Sequence, residues 1–241
     1  MPSKAHILQH LQREILPLQG FKTAMNSRDT LPLGPISQAF PQHKFPLGAT
    51  HEFILSQPEH LASTYGFLMA LLSKMMETEG ATLWISPCRN LFPPALVRFG
   101  IHPDKIIFLD LKKENDCLWA AEEALKCEGL TAVVCETQNL SFTASRRFQL
   151  AVEKSGVTGF MLRNASGKLL TTACVTRWRI RPLPSPLETG MPGIGFPRWH
   201  VELLKVRNGQ PASWQIEFSE KQFHQIPATT VHHQEERRKT G

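Results

Sequence analysis

No stretch of this 241-residue chain reaches the ~18 uninterrupted apolar residues that a membrane-spanning helix needs. The N-terminus "MPSKAHILQHLQREIL" reads unlike a signal peptide, since Lys4, His6, Gln9, Arg13 and Glu14 interrupt its apolar positions. Both absences lead us to expect a cytoplasmic protein. Cysteine is sparse and badly spaced for metal: Cys88, Cys117, Cys127, Cys135 and Cys174 are odd in number and never form CxxC, which argues against a zinc site and a disulfide framework. Cys88 has no His or Lys close in sequence to make it a thiolate, so an inert thiol is expected. No GxSxG nucleophile elbow occurs, Glu122 and Glu123 are adjacent on a helix and so do not share a face, and His232 and His233 lack a metal-ligand spacing. No metal and no cofactor is expected.

What is present is one sizeable core's worth of apolar residue, 41% of the chain, and an uneven charge. The formal net charge is +6, yet between Ser141 and Arg207 lie eleven Lys and Arg against three acids. Such a surplus suits a polyanion or an acidic protein surface, although basic stretches often serve only as solvated faces.

Ile7, Leu8, Leu11 and Ile15 recur at helical spacing, predicting an amphipathic helix over residues 4–16 that ends before Pro17. Residues 30–48 hold Pro32, Pro35, Pro41 and Pro46 with Gly34 and Gly48, a composition expected to run extended over a surface. From His51 short apolar runs alternate with helical segments. Strands are expected at 51–55, 81–86, 106–109, 130–135 and 157–162. Helices are expected at 58–78, 93–99, 116–128 and 142–155, with Leu61, Tyr65, Leu68, Leu72 and Met76 inward on the first and Ser141 or Thr143 capping the last. Strands apolar on both faces imply a parallel sheet covered on both sides. Past Asn164 the alternation stops. "VELLKVRNGQPASWQIEF" carries Asn208-Gly209 between two strand-like runs, the strongest short hairpin signal, so antiparallel strands extend the sheet. "TRWRIRP" sets Arg177, Arg179 and Arg181 on one face and Trp178 and Ile180 on the other, as an edge strand with a basic outer face would. The expected organisation is an N-terminal helix and Pro-rich linker over 1–48, an α/β core with its hairpin over 49–222, and a disordered basic tail over 223–241.

Read in order, these elements resemble the RecA superfamily, and more closely the ImuA family, the RecA-like accessory proteins of bacterial mutagenesis cassettes. The resemblance spans roughly Leu31 to Phe218. It rests on "HEF", "LWI", "ALVRFGIHPDKIIFL", "LWAAEEAL", "LTAVVCE", "TASRRFQLAVEKSGVTGFMLR" and "PRWHVELLKVRNGQPASWQIEF" in that order and spacing. It implies a RecA-like three-layer fold with the phosphate loop at "HEFILSQPEHLASTYGF". A working loop, GxxxxGK[ST], needs glycines for close backbone approach, a lysine for charge and a hydroxyl for magnesium. Here Ser56, Gln57, Pro58, Glu59 and His60 supply none of the lysine's charge, and only Ser63, Thr64 and the helix start could hold an anion. The stretch matching the water-activating glutamate is Ser86, Pro87, Cys88 and Arg89, and Glu136 alone survives, at the place of the magnesium-linked aspartate. Phosphoryl transfer depends on positioned charge and metal, so a lost catalytic site and no enzyme activity are expected.

The resemblance also implies where partners bind. Lys205 and Arg207 match the lysines that RecA presents to a neighbouring subunit, and Arg163, Arg177, Arg179 and Arg181 are candidate contacts to a partner or, non-specifically, to DNA phosphates. The implied role is an adaptor in damage-induced translesion synthesis. Its implied partners are an inactive Y-family-like polymerase homologue, an error-prone replicative polymerase and RecA. A SulA-like division inhibitor and a residual ATP-binding RecA paralogue are the alternatives.

Overall fold

A computed structural model describes residues 31–77, 80–164, 170–185 and 195–227. The expected helix over 4–16 lies outside them, as does the expected tail from residue 228 on; the first residues given to that disordered tail instead belong to a strand, Gln222–Gln225, with Phe223 buried in the core. Nine strands form one mixed sheet in the order β3-β2-β4-β5-β1-β6-β7-β8-β9. They are β1 Thr50–Leu55, β2 Ala81–Ser86, β3 Ile106–Asp110, β4 Leu130–Thr137, β5 Thr158–Asn164, β6 Thr176–Leu183, β7 Arg198–Val206, β8 Ala212–Ser219 and β9 Gln222–Gln225. From β3 to β6 neighbours run parallel, and from β6 to β9 they run antiparallel. The fold is the RecA-like α/β arrangement.

The helices are α1 His60–Met75, α2 Glu114–Ala124 and α3 Phe142–Ser155. Helix α1 packs on one face of the sheet, where Phe67, Leu68, Leu71 and Leu72 join Phe53, Phe160 and Trp178 in the larger core. Helices α2 and α3 cover the other face through Cys117, Ala121, Phe148 and Val152 over Val133, Cys135 and Met161. Every residue of β1 is buried, as a central strand between two helical layers requires. Ser141 caps α3 by accepting a hydrogen bond from the Ala144 N–H. Helices α1 and α2 each differ from expectation by two to four residues at an end, where propensity is weakest. Of the α1 positions expected inward, Leu61 is half-buried while Tyr65, Leu68, Leu72 and Met76 are buried. The segment Pro93–Phe99 is a 3-10 helix, opened by two prolines and closed by left-handed Gly100.

Two further expectations fail. The Pro-rich stretch does not run over the surface. It folds into two 3-10 turns, Gly34–Ala39 and Pro41–His43, and drives Leu33, Ile36, Phe40 and Phe45 into the larger core. Phe40 meets Phe45 edge-on at 5.4 Å, and Phe45 stacks on His51 at 4.4 Å. Prolines punctuate this segment, but its apolar residues decide where it goes. Gly34 is the tight point: its φ is +55°, and a Cβ there would lie 2.5 Å from the Phe223 carbonyl oxygen of β9. Gly34→Ala should therefore cost about 1–3 kcal/mol from strain plus a forced backbone shift, read as a lower urea midpoint at unchanged slope.

The second failed expectation concerns "TRWRIRP". Strand β6 is not an edge, since β1 pairs with its first half and β7 with its whole length. The periodicity was informative about the two faces and silent about neighbours, because alternation reports sidedness alone. The hairpin expectation holds: β7 and β8 pair antiparallel around a turn in which Asn208 takes φ 58°.

Candidate functional site

In open α/β sheets ligands gather beyond the carboxyl ends of the parallel strands. At that rim β1 delivers the loop Ser56–Glu59, whose four residues are all exposed. The chain turns here through His60 N–H to Gln57 O (3.1 Å) and Leu61 N–H to Pro58 O (3.1 Å), and α1 starts without a side-chain cap. Ser63 Oγ donates to the His60 and Ile180 carbonyls at 2.9 and 3.3 Å, while Thr64 is buried with its hydroxyl unpartnered.

Glu136, at the end of β4, is half-buried. Its Oε1 accepts from Tyr65 Oη at 2.5 Å and from Trp84 Nε1 at 2.9 Å, and the Tyr65 and Trp84 rings meet edge-on at 5.1 Å. Burial pushes the Glu136 carboxyl above its usual range, opposed by these two donors. Burial and the adjacent carboxylate likewise push the Tyr65 phenol up, which keeps its proton on oxygen to donate. Helix α1 supplies Tyr65, β2 supplies Trp84 and β4 supplies Glu136, so the knot ties the first helix to two strands. At the end of β2, Ser86 is buried with no partner for its hydroxyl. Beyond it, Arg89 pairs with Asp110 at 2.7 Å and lies 4.8 Å over the Phe108 ring.

The expected basic contacts separate into three groups. Arg163 is not a surface contact: it is buried, with Nη1 3.1 Å from Glu52 Oε1. Arg177 binds the other oxygen of Glu52 through Nε at 2.7 Å, and Thr172 Oγ1 donates to the same oxygen at 2.9 Å. Lys205 caps the chain leading into β6, donating Nζ to the Thr172 and Cys174 carbonyls at 2.9 and 3.0 Å, and Arg207 donates to the Ala173 carbonyl at 3.1 Å. Burial lowers the Lys205 ammonium's pKa. Arg179 and Arg181 flank Glu202 at 3.7 and 3.3 Å on the partly exposed face of β6 and β7.

The residues that sequence reading missed are Glu52, Tyr65 as a donor, Trp84 and Glu202. Glu52 carried a signal, being an acid within the otherwise buried run "THEFIL". Cys117, Cys135 and Cys174 are buried and Cys88 and Cys127 exposed, all as free thiols. Among the described residues no group of three or more His, Cys, Asp or Glu could hold a metal, and no helix is long and apolar enough to cross a membrane.

No known family model matches the chain. Protein ImuA of Caulobacter vibrioides, found in two strains, is 34% identical over 197 residues, covering 77% of this chain and 81% of the relative. The chain belongs to the ImuA family. That identity extends over most of both proteins, so a shared fold throughout the aligned part of this ImuA-family chain follows.

Proposed function

We propose that this ImuA-family protein is a non-catalytic adaptor in DNA-damage-induced, error-prone translesion synthesis. It joins an inactive Y-family-like polymerase homologue, an error-prone replicative polymerase and RecA. Family membership supports the setting. The observation that carries the absence of catalysis is the state of Glu136. The acid at the end of β4 spends an oxygen on the Tyr65 hydroxyl and the Trp84 N–H. The loop beside it offers Gln57, Pro58 and Glu59 where a triphosphate needs a lysine. Positioned charge is nearly all that phosphoryl transfer asks of a protein, and here it is missing.

The expected result is no ATP turnover above that of buffer by the purified chain, with or without DNA, and no change on Glu136→Gln. Turnover abolished by that substitution would overturn the reading. Co-purification with the polymerase subunits tests the adaptor role, whereas recovery of a division GTPase in their place would favour a SulA-like inhibitor. One observation favours a second reading, residual nucleotide binding: the buried hydroxyls of Thr64 and Ser86 have no partner. A titration with a fluorescent ATP analogue separates the two, since saturable binding lost in Thr64→Val supports the second.

A further inference from the structure

Eight buried side-chain nitrogen and oxygen atoms among the described residues have no hydrogen-bond partner, and five of them belong to one cluster. These are His60 Nδ1, Arg179 Nε, Arg181 Nε, His200 Nε2 and Glu202 Oε2. Buried polar atoms are nearly always satisfied, so five orphans in one place call for an explanation. Strand pairing assembles them: Arg179 lies opposite Glu202 and Arg181 opposite His200 across β6 and β7. His60, at the start of α1, feels Arg181, Arg179 and Glu202.

Glu202 is a poor ligand for its arginines. It sits 3.3 Å from Arg181 Nη2 and 3.7 Å from Arg179 Nη1, and its Oε2 makes no hydrogen bond to either. By contrast Arg198, next along β7, grips Glu217 through Nε and Nη2 at 2.7 Å each. The same strand thus makes one tight pair and one loose one. The loose pair remains solvent-reachable, with Arg179 and Arg181 side chains 30% and 44% exposed. Phe196, two residues before Arg198, is 54% exposed.

We propose that this face of β6 and β7 docks an acidic segment of a partner protein, whose carboxylates take Arg179 and Arg181 from Glu202 while an apolar side chain covers Phe196. This deepens the adaptor reading by giving the chemistry of one partner surface. Guanidinium forks pair best with carboxylates bidentately, and Glu202 does not achieve that geometry. The group that Arg179 and Arg181 already face, loosely, is the Glu202 carboxylate, which points to a carboxylate-bearing protein segment as the occupant. Glu202 then acts as an internal competitor that the partner displaces.

The test is fluorescence anisotropy on the full chain with a labelled peptide alternating glutamate and leucine, beside a labelled thymidine oligonucleotide. The peptide should bind. Arg179→Gln with Arg181→Gln should weaken it about tenfold, as loss of a two-arginine charge contact does. Glu202→Gln, nearly isosteric, should tighten it about threefold, because the competition-free site is more often available. Phe196→Ala should weaken the peptide and leave the melting temperature unchanged. A merely structural Glu202 predicts the opposite sign. No peptide binding, insensitivity to the double substitution, or weaker binding in Glu202→Gln overturns the proposal. So does the oligonucleotide displacing the peptide with higher affinity, which would make this a nucleic-acid face. Failure to co-purify polymerase subunits, with peptide binding intact, removes the adaptor reading and leaves this site standing.

Discussion

Glu52→Leu should lower the unfolding free energy by about 3–5 kcal/mol, the usual cost of removing one partner from a buried ion pair. Glu52 has no exposed side-chain surface and Arg163 only 4%, so the substitution strands a guanidinium in the interior. Arg177, with its side chain 14% exposed, loses its partner too, and the Thr172 hydroxyl loses its acceptor. The network spans strands β1, β5 and β6 and the chain entering β6, which multiplies the consequence. Thermal unfolding should fall by roughly 10 °C at ~2–4 °C per kcal/mol. The charge is what matters here, not the shape. Replacing Glu52, Arg163 and Arg177 together by apolar residues of similar volume should restore much of the loss, since buried ion pairs are often close to neutral against well-packed apolar groups. If Glu52→Leu alone leaves the urea midpoint unchanged, the carboxylate carries no structural role.

The second large effect is on pH. His51 is fully buried on β1, between Phe45 and Phe160, with ring centroids at 4.4 and 5.4 Å. Its Nε2–H donates to the Pro46 carbonyl at 2.9 Å, and Nδ1 accepts from the Thr176 hydroxyl at 2.7 Å, so the ring is neutral with both nitrogens used. Burial lowers its pKa to about 3, with the Pro46 carbonyl opposing. The unfolded chain therefore takes up this proton near pH 6.5, before the folded protein can. Stability from His51 is fully present above pH 6.5 and falls as pH drops toward 3. Each unit within that window costs about 1.4 kcal/mol at most. Urea unfolding at pH 7.5 and at pH 5 should differ accordingly, and His51→Gln should be less stable at pH 7.5 but flatter between the two. An equal slope in the variant would mean other groups set the acid sensitivity. The Pro46 contact also explains why the Pro-rich segment is anchored to the sheet.

These predictions concern residues that sequence reading passed over, and the reason differs in each case. His51 and Glu52 sit in a run that reads as apolar, and a polar residue between hydrophobic neighbours does not announce its partners. Those partners are far along the chain: Thr176 follows His51 by 125 residues, and Arg163 follows Glu52 by 111. The arginines of "TRWRIRP" were legible as one face of a strand. That Arg177 would turn to Glu52 while Arg179 and Arg181 turned to Glu202 depended on which strands flank β6. Composition made the Pro-rich segment look like a linker, yet Leu33 and Ile36 are wholly buried.

Local pattern alone carried the alternation of strands and helices, the hairpin at Asn208-Gly209, a cap for α3 at Ser141 or Thr143, and the lack of lysine between Ser56 and Thr64. Those are local properties, written in spacing and in the residues a turn or a helix end requires. It took the packing of distant strands to give Glu136 to Tyr65 and Trp84, to bury Arg163, and to leave Glu202 holding its arginines loosely. Each outcome is a competition among distant groups for one partner. Such competitions are settled by strand order and packing, which no local pattern encodes.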